Sequence, residues 1–139
     1  MESNRLQRGV VAVEFAIVLP VLLSLIFGVI EFGVALYDQA IITNASREAA
    51  RAGVVVRKVK ATIPQIKTVG MNYCKEYLIS FGNTVSPDVS VSESTNPDFS
   101  TPQLNVTVSY TYVGLLLGPL LSAITGPMRL SATAVMIEE

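Results

Sequence analysis

The chain has 139 residues, half of them hydrophobic and 15% charged, where an ordinary soluble domain carries about 25% charged residues. With no His and a single Cys, zinc sites, His-dependent hydrolase triads and an internal disulfide framework are excluded. Ten basic residues against eleven acidic ones leave no electrostatic footprint for nucleic acid, and the length admits one small domain.

The chain opens on MESNRLQRG, where Arg5 and Arg8 outweigh Glu2. From Val10 to Ile30 it then runs for 21 residues with one charge, Glu14, and continues through Glu31 to Tyr37. At ~1.5 Å per residue, about 20 helical residues cross a hydrocarbon core of ~30 Å, so this run predicts a membrane helix. Pro20 and Gly28 are tolerated in such helices. The short basic tail favours an N-terminus on the cytoplasmic side, which leaves the bulk of the chain as the exported part. An ordinary secretory signal fits poorly. Its apolar region is shorter, and the sequence after this one, Leu36-Tyr37-Asp38-Gln39, offers no small-x-small site.

Another processing pattern fits better. In Arg8-Gly9-Val10-Val11-Ala12-Val13-Glu14-Phe15 a basic leader ends in Gly, the apolar run starts at once, and a Glu stands fifth after the Gly. This resembles the type IV prepilin signal, which a membrane peptidase cuts after the Gly. A glycine there presents no side chain to the peptidase and is expected to keep the scissile bond extended, off the helix. The resemblance extends from Arg8 to Gly53. It includes the AVEFA segment Ala12–Ala16, the Leu19-Pro20 step, Glu31-Phe32-Gly33, and the run Asn44-Ala45-Ser46-Arg47-Glu48-Ala49-Ala50-Arg51-Ala52-Gly53. On these residues the chain resembles the TadE-like family, pilin-related proteins of the tight-adherence (Flp-type) pilus machinery. About a third of the chain carries the resemblance.

That resemblance implies a minor pilin or pseudopilin of the bacterial cytoplasmic membrane, single-pass, with Gly9 and Val10 at the processing site. Its implied partners are other pilin-like subunits, membrane platform proteins, the prepilin peptidase and the lipid itself. It also suggests a role for Glu14, as acceptor of the freed amino group of a neighbouring subunit's Val10. The bland alternative is a carboxylate solvated at the interface, because burying it costs ~2.5–3.5 kcal/mol at a helix centre and less near an end. Glu31, Arg47 and Arg51 are candidates for helix packing or a membrane-proximal role.

Beyond Asp38 the pattern stays helical, with Ala40, Ile41, Ala45, Ala49 and Ala52 on one stripe and Gly53 as a candidate αL cap. A continuous helix from Val10 to Ala52 would be roughly 65 Å long. A second helix is signalled by the capping box Thr62-Ile63-Pro64-Gln65, with Ile63, Ile66, Val69, Tyr73 and Tyr77 as its apolar face and Gly82-Asn83 as its stop. Cys74 on this helix reads as an unpaired core thiol, with an intermolecular disulfide as the alternative.

From Val85 the period changes to two. Asp88–Ser92, Leu104–Tyr112 and Leu130–Ile137 predict three strands, with Glu93–Pro102 as a polar loop. The sheet is expected to pack on the second helix. Val113–Met128 is uncharged but broken by Gly and Pro, and too short to span. It reads either as a connector folded on the sheet or as a contact with a neighbour or the membrane surface, through Leu115, Leu116, Leu117, Leu120 and Leu121. Charge is sorted: 38–80 holds seven Lys/Arg against three Asp/Glu, and 81–139 holds one against five.

The expected fold is therefore a membrane-anchored, pilin-like α+β chain with a leader (1–9), a membrane helix (10–37), a stem and linker (38–60) and a small outer domain (61–139). No cofactor and no catalysis are expected. A Gly-rich phosphate loop is missing, and Glu14 and Glu31 lie about 25 Å apart by helical rise. The alternative function is an uncleaved single-span scaffold or partner-binding subunit of a secretion complex.

Overall fold

The first third of the chain forms one 52-residue helix, α1 (Ser3–Val54), about 78 Å long by helical rise. It belongs to a computed structural model describing residues 3–55, 61–95, 101–114 and 126–137, with side chains from Gly9 onward. Pro20 lies inside α1. The Ser24 hydroxyl donates to the Pro20 carbonyl at 2.7 Å, so this polar group in the apolar run is satisfied within its own helix. Helix α2 (Ile63–Tyr77) follows, then strands β1 (Asp88–Thr95), β2 (Pro102–Tyr112) and β3 (Met128–Ile137). The strands form one antiparallel sheet in the order β1-β2-β3.

The sheet has a dry face and a wet one, as its alternation demands. Leu104, Val106, Val108, Tyr110 and Tyr112 of β2 are buried, while Asn105, Thr107, Ser109 and Thr111 point away. Register places Leu130 and Ala134 of β3 and Val89 of β1 on the dry side beside them. The outer face is laced by hydroxyls and an amide: Thr107 and Thr133 pair at 2.8 Å, and Asn105 Nδ2 donates to Ser94 Oγ at 2.7 Å.

The dry face packs chiefly on α1, with α2 lying along α1 and touching β1. This corrects the expectation of a sheet packed on the second helix. The reason lies in a seam along α1 spaced by threes and fours: Glu31, Ala35, Asp38, Ile42, Ala45, Ala49 and Gly53 are all buried. Small side chains there let the sheet approach the helix closely. At Gly53 an added Cβ would run into Leu104 Cδ2 and lie 2.8 Å from Ile66 Cδ1. Gly53 is thus a packing glycine inside the helix rather than an αL cap, and Ala40, expected on the inner stripe, is exposed.

Helix α2 begins where its capping box predicts, with the Gln65 side chain accepting the Thr62 N–H at 2.9 Å. Its buried face is Ile66, Gly70 and Cys74, rotated from the expected stripe. Ile63 and Tyr77 are exposed, and Tyr73 and Tyr77 stack on each other with centroids 4.8 Å apart. The helix also stops before Gly82-Asn83. Leu78 turns extended (φ −70°, ψ 139°) and buries itself, ending the helix by a tertiary contact.

Directions along the rod follow. Gly53 meets Leu104 near the start of β2, and Glu31 meets Tyr112 at its end, so β2 runs antiparallel to α1. Helix α2 does the same, from Ile66 beside Gly53 to Ile79 beside Asp38. The end of α2, the start of β1, the end of β2 and the start of β3 therefore lie at the Glu31 end of the head. The start of α2, the end of β1, the start of β2 and the end of β3 lie at the Gly53 end.

Candidate functional site

Two regions carry the candidate functional residues, a bare stem and the junction where the head grips it. From Gly9 to Ile30 the side chains of α1 are exposed, apart from half-buried Leu19, Phe27 and Gly28. Val10 is 67% exposed and stands one helical turn from Glu14, which is exposed too. This helix is long and apolar enough to cross a membrane, and none of its most apolar window is buried within the chain. The helix continues unbroken through Arg8, Gly9 and Val10, so Gly9 does not hold the junction extended. A peptidase would have to unwind this turn.

Burial starts abruptly at Glu31. Three polar ties fasten the head there. The Tyr112 hydroxyl, at the end of β2, donates to the Glu31 main-chain carbonyl at 3.2 Å. Asp38 is fully buried, and its Oδ1 accepts the Ile79 N–H at 3.0 Å, satisfying the first free amide past α2. Gln39 Nε2 donates to the Ser131 carbonyl of β3 at 3.0 Å. One stretch of α1, Glu31–Gln39, thus holds β2, β3 and the α2 exit together. Asp38 Oδ2 is buried with no partner, so the carboxylate is held for the one bond it makes.

Burial dominates the electrostatics of this junction and pushes the Asp38 carboxyl itself up, against the Ile79 N–H, which lowers it. Burial pushes the Cys74 thiol up to about 11, with the nearby Asp38 charge adding to it. Burial likewise lifts the Tyr112 phenol to about 12, helped by Glu31, Asp38 and Tyr110. Cys74 is a free, fully buried cysteine, as its core reading expects. Among the described residues no three of His, Cys, Asp and Glu converge as metal ligands.

Residues 9–51 match the family model described as TadE-like protein. Over these residues the stem is similar to TadE-like proteins. Neither a curated protein nor a solved structure matches the chain. The match links this stem to the tight-adherence pilus system and covers both the bare segment and most of the seam that carries the head.

The structure separates the residues singled out in the TadE-like stem. Gly9, Val10 and Glu14 share its bare end. Glu31 sits at the grip. Arg47 and Arg51 lie on the exposed side of α1, 16 and 20 residues further on, about 24 and 30 Å by helical rise. They neither pack inside the head nor share a level with Glu31. Leu115, Leu116, Leu117, Leu120 and Leu121 lie outside the described residues. Sequence reasoning missed Asp38, read only as the charge that closes the apolar run, and Tyr112. The spacing by threes and fours from Glu31 to Gly53 was the signal that could have found the former.

Proposed function

We propose that this chain is a minor pilin or pseudopilin of a tight-adherence pilus, acting in pilus assembly or initiation and thereby in surface adhesion. It is made as a precursor, cut between Gly9 and Val10, and held in the bacterial cytoplasmic membrane with its N-terminus inside and its head outside. The observation that carries this reading is the TadE-like match on a stem whose 21 residues after Gly9 carry one charge and are almost all exposed. Uncovered apolar surface of that length needs lipid or other helices around it. Val10–Ile30 supplies residence and packing, Glu14 pairs with a neighbour's new amino terminus, and the head faces outward. The partners are other pilin-like subunits, platform proteins and the prepilin peptidase. The role is structural and calls for no cofactor.

The continuity of α1 through Gly9 favours a second reading, an uncleaved single-span scaffold of a secretion complex. One measurement decides between them. The mass of the mature protein starts at Val10 under the first reading and at Met1 or Glu2 under the second. Shearing cells and probing the filament fraction then distinguishes a fibre component from an assembly factor, and an intact leader on filament-free protein would refute the pilin reading.

A further inference from the structure

The Glu31 end of the head displays large apolar side chains that the spanning stem does not explain. The segment 78–87 that leaves α2 there contains no charged residue. Ile79 and Phe81 of this segment are exposed, as are Val113 after β2 and Met128 at the start of β3, the last at 50%. On α1 at the same level Phe32 and Tyr37 are exposed as well.

Phe81 is held there against its own preference. Its φ is 47°, followed by Gly82 at 85°, and the Asn83 N–H closes the turn onto the Ser80 carbonyl at 2.9 Å. Positive φ at both central residues is the type I′ pattern, which favours Asn-Gly. A phenylalanine in this region is a genuine outlier. Such strain persists where the surroundings fix it, and it clusters at sites of function. Here it presents an aromatic ring at the Glu31 end.

Levels along the stem agree. The bare run Val10–Ile30 covers ~30 Å by helical rise, the thickness of a hydrocarbon core. Residues Glu31–Asp38 and everything tied to them then fall in the headgroup layer just outside it. This is the layer where aromatic rings collect at membrane surfaces.

We infer that the head is seated on the bilayer through this apolar collar, with Ile79, Phe81, Val113 and Met128 entering the headgroup–acyl boundary around the emerging helix. The inference rests on the spanning reading of α1 and adds a second, monotopic contact to it. The exposed Arg129, next to Met128, stands at the right level to meet lipid phosphates.

The absence of tryptophan makes the test clean. Full-length single-tryptophan variants Phe81→Trp, Met128→Trp, Leu22→Trp and Ile137→Trp are reconstituted into phosphatidylcholine–phosphatidylglycerol vesicles. The vesicle lipids carry bromine either near the top or near the end of the acyl chains. F81W and M128W are expected to emit to the blue and to lose roughly twofold in intensity with the shallow bromines, more than with the deep ones. L22W should be quenched most by the deep bromines, and I137W by neither. Quenched L22W with unquenched F81W and M128W would overturn the seating while leaving the span intact. Blue-shifted but unquenched F81W and M128W would mean that protein, such as a second copy, covers the collar, and would overturn it too. Unquenched L22W would remove the span and the seating together.

Discussion

Three glycines in the helices test the packing argument, because alanine gains the same helix propensity at each and differs only in what it meets. That gain is about 0.8–1 kcal/mol in a helix interior. At Gly33 a new Cβ has nothing within 4 Å, so Gly33→Ala should gain most of it. At Gly70 the nearest atoms, Ala49 Cβ and the Val89 methyls, lie at 3.4 Å, and Gly70→Ala should be neutral to stabilising by up to about 1 kcal/mol. At Gly53 the Cβ meets Leu104 Cδ2 and Ile66 Cδ1, from residues 0% and 2% exposed that have nowhere to swing. Overpacking of this kind costs about 1–3 kcal/mol, so the propensity gain is offset and Gly53→Ala should destabilise by up to about 2 kcal/mol. For a head of this size, ~1 kcal/mol moves the midpoint by ~4–8 °C. Thermal unfolding of the full chain in one detergent, followed by circular dichroism, should thus place G53A below the parent and G33A above it. The double variant Gly53→Ala/Leu104→Ala should lose less than the sum of its single changes, because the clash and the cavity cancel in part. A Gly53→Ala melting as high as Gly70→Ala would refute the close approach of stem and sheet.

The other predictions concern the grip and the bare stem. Asp38→Asn keeps an acceptor for the Ile79 N–H and should melt near the parent, whereas Asp38→Ala orphans that amide and should cost about 1–3 kcal/mol by the same thermal assay. Stability should fall in alkali. The folded thiol of Cys74 titrates at about 11 instead of its usual 9.0, so its contribution is whole below pH 9.0 and disappears as pH climbs through about 11. Tyr112 extends the loss from its usual 10.0 to about 12, and Tyr112→Phe should flatten that upper part of the pH–stability curve. Maleimide labelling of Cys74 at pH 8 should stay slow until denaturant is added, and fast labelling of the folded chain would contradict its burial. Glu14→Leu should leave membrane insertion intact and impair incorporation into the pilus, measured in sheared filaments; normal incorporation would rule out the pairing with Val10.

Much of the fold was legible because local chemistry and tertiary structure agree. Leu104–Tyr112 alternates without a fault, and that strand is the sheet's centre, with neighbours on both sides. Thr62 and Gln65 mark the start of α2 with a bond made within one turn. The bare run of α1 needed only hydropathy, whereas its start at Ser3, ahead of the expected Val10, did not show. What failed to show were features set by partners far along the chain. The end of α2 depends on Asp38, 41 residues before Ile79, so Gly82-Asn83 drew attention to a turn that comes later. On α1 the expected stripe held at Ile41, Ala45 and Ala49 and failed at Ala40. The inner face of α2 went astray because a stripe search weights large apolar residues, and its contacts are made in part through Gly70 and Cys74, whose value lies in being small. Of the candidate site, Gly9, Val10 and Glu14 are motif residues readable in one line, while the grip at Tyr112 joins groups 81 positions apart.

The ties that close the head also order its making. A chain synthesised from its N-terminus produces α1 first, yet Glu31 waits 81 residues for Tyr112, and Gln39 waits 92 for Ser131. Contacts so distant in sequence form late and slowly. Until β3 arrives, Gln39 lacks its Ser131 partner and the β3 edge of β2 stays open, and half-finished chains of this kind stick to one another. Synthesis through β3 is therefore the step that closes this edge against unfinished copies.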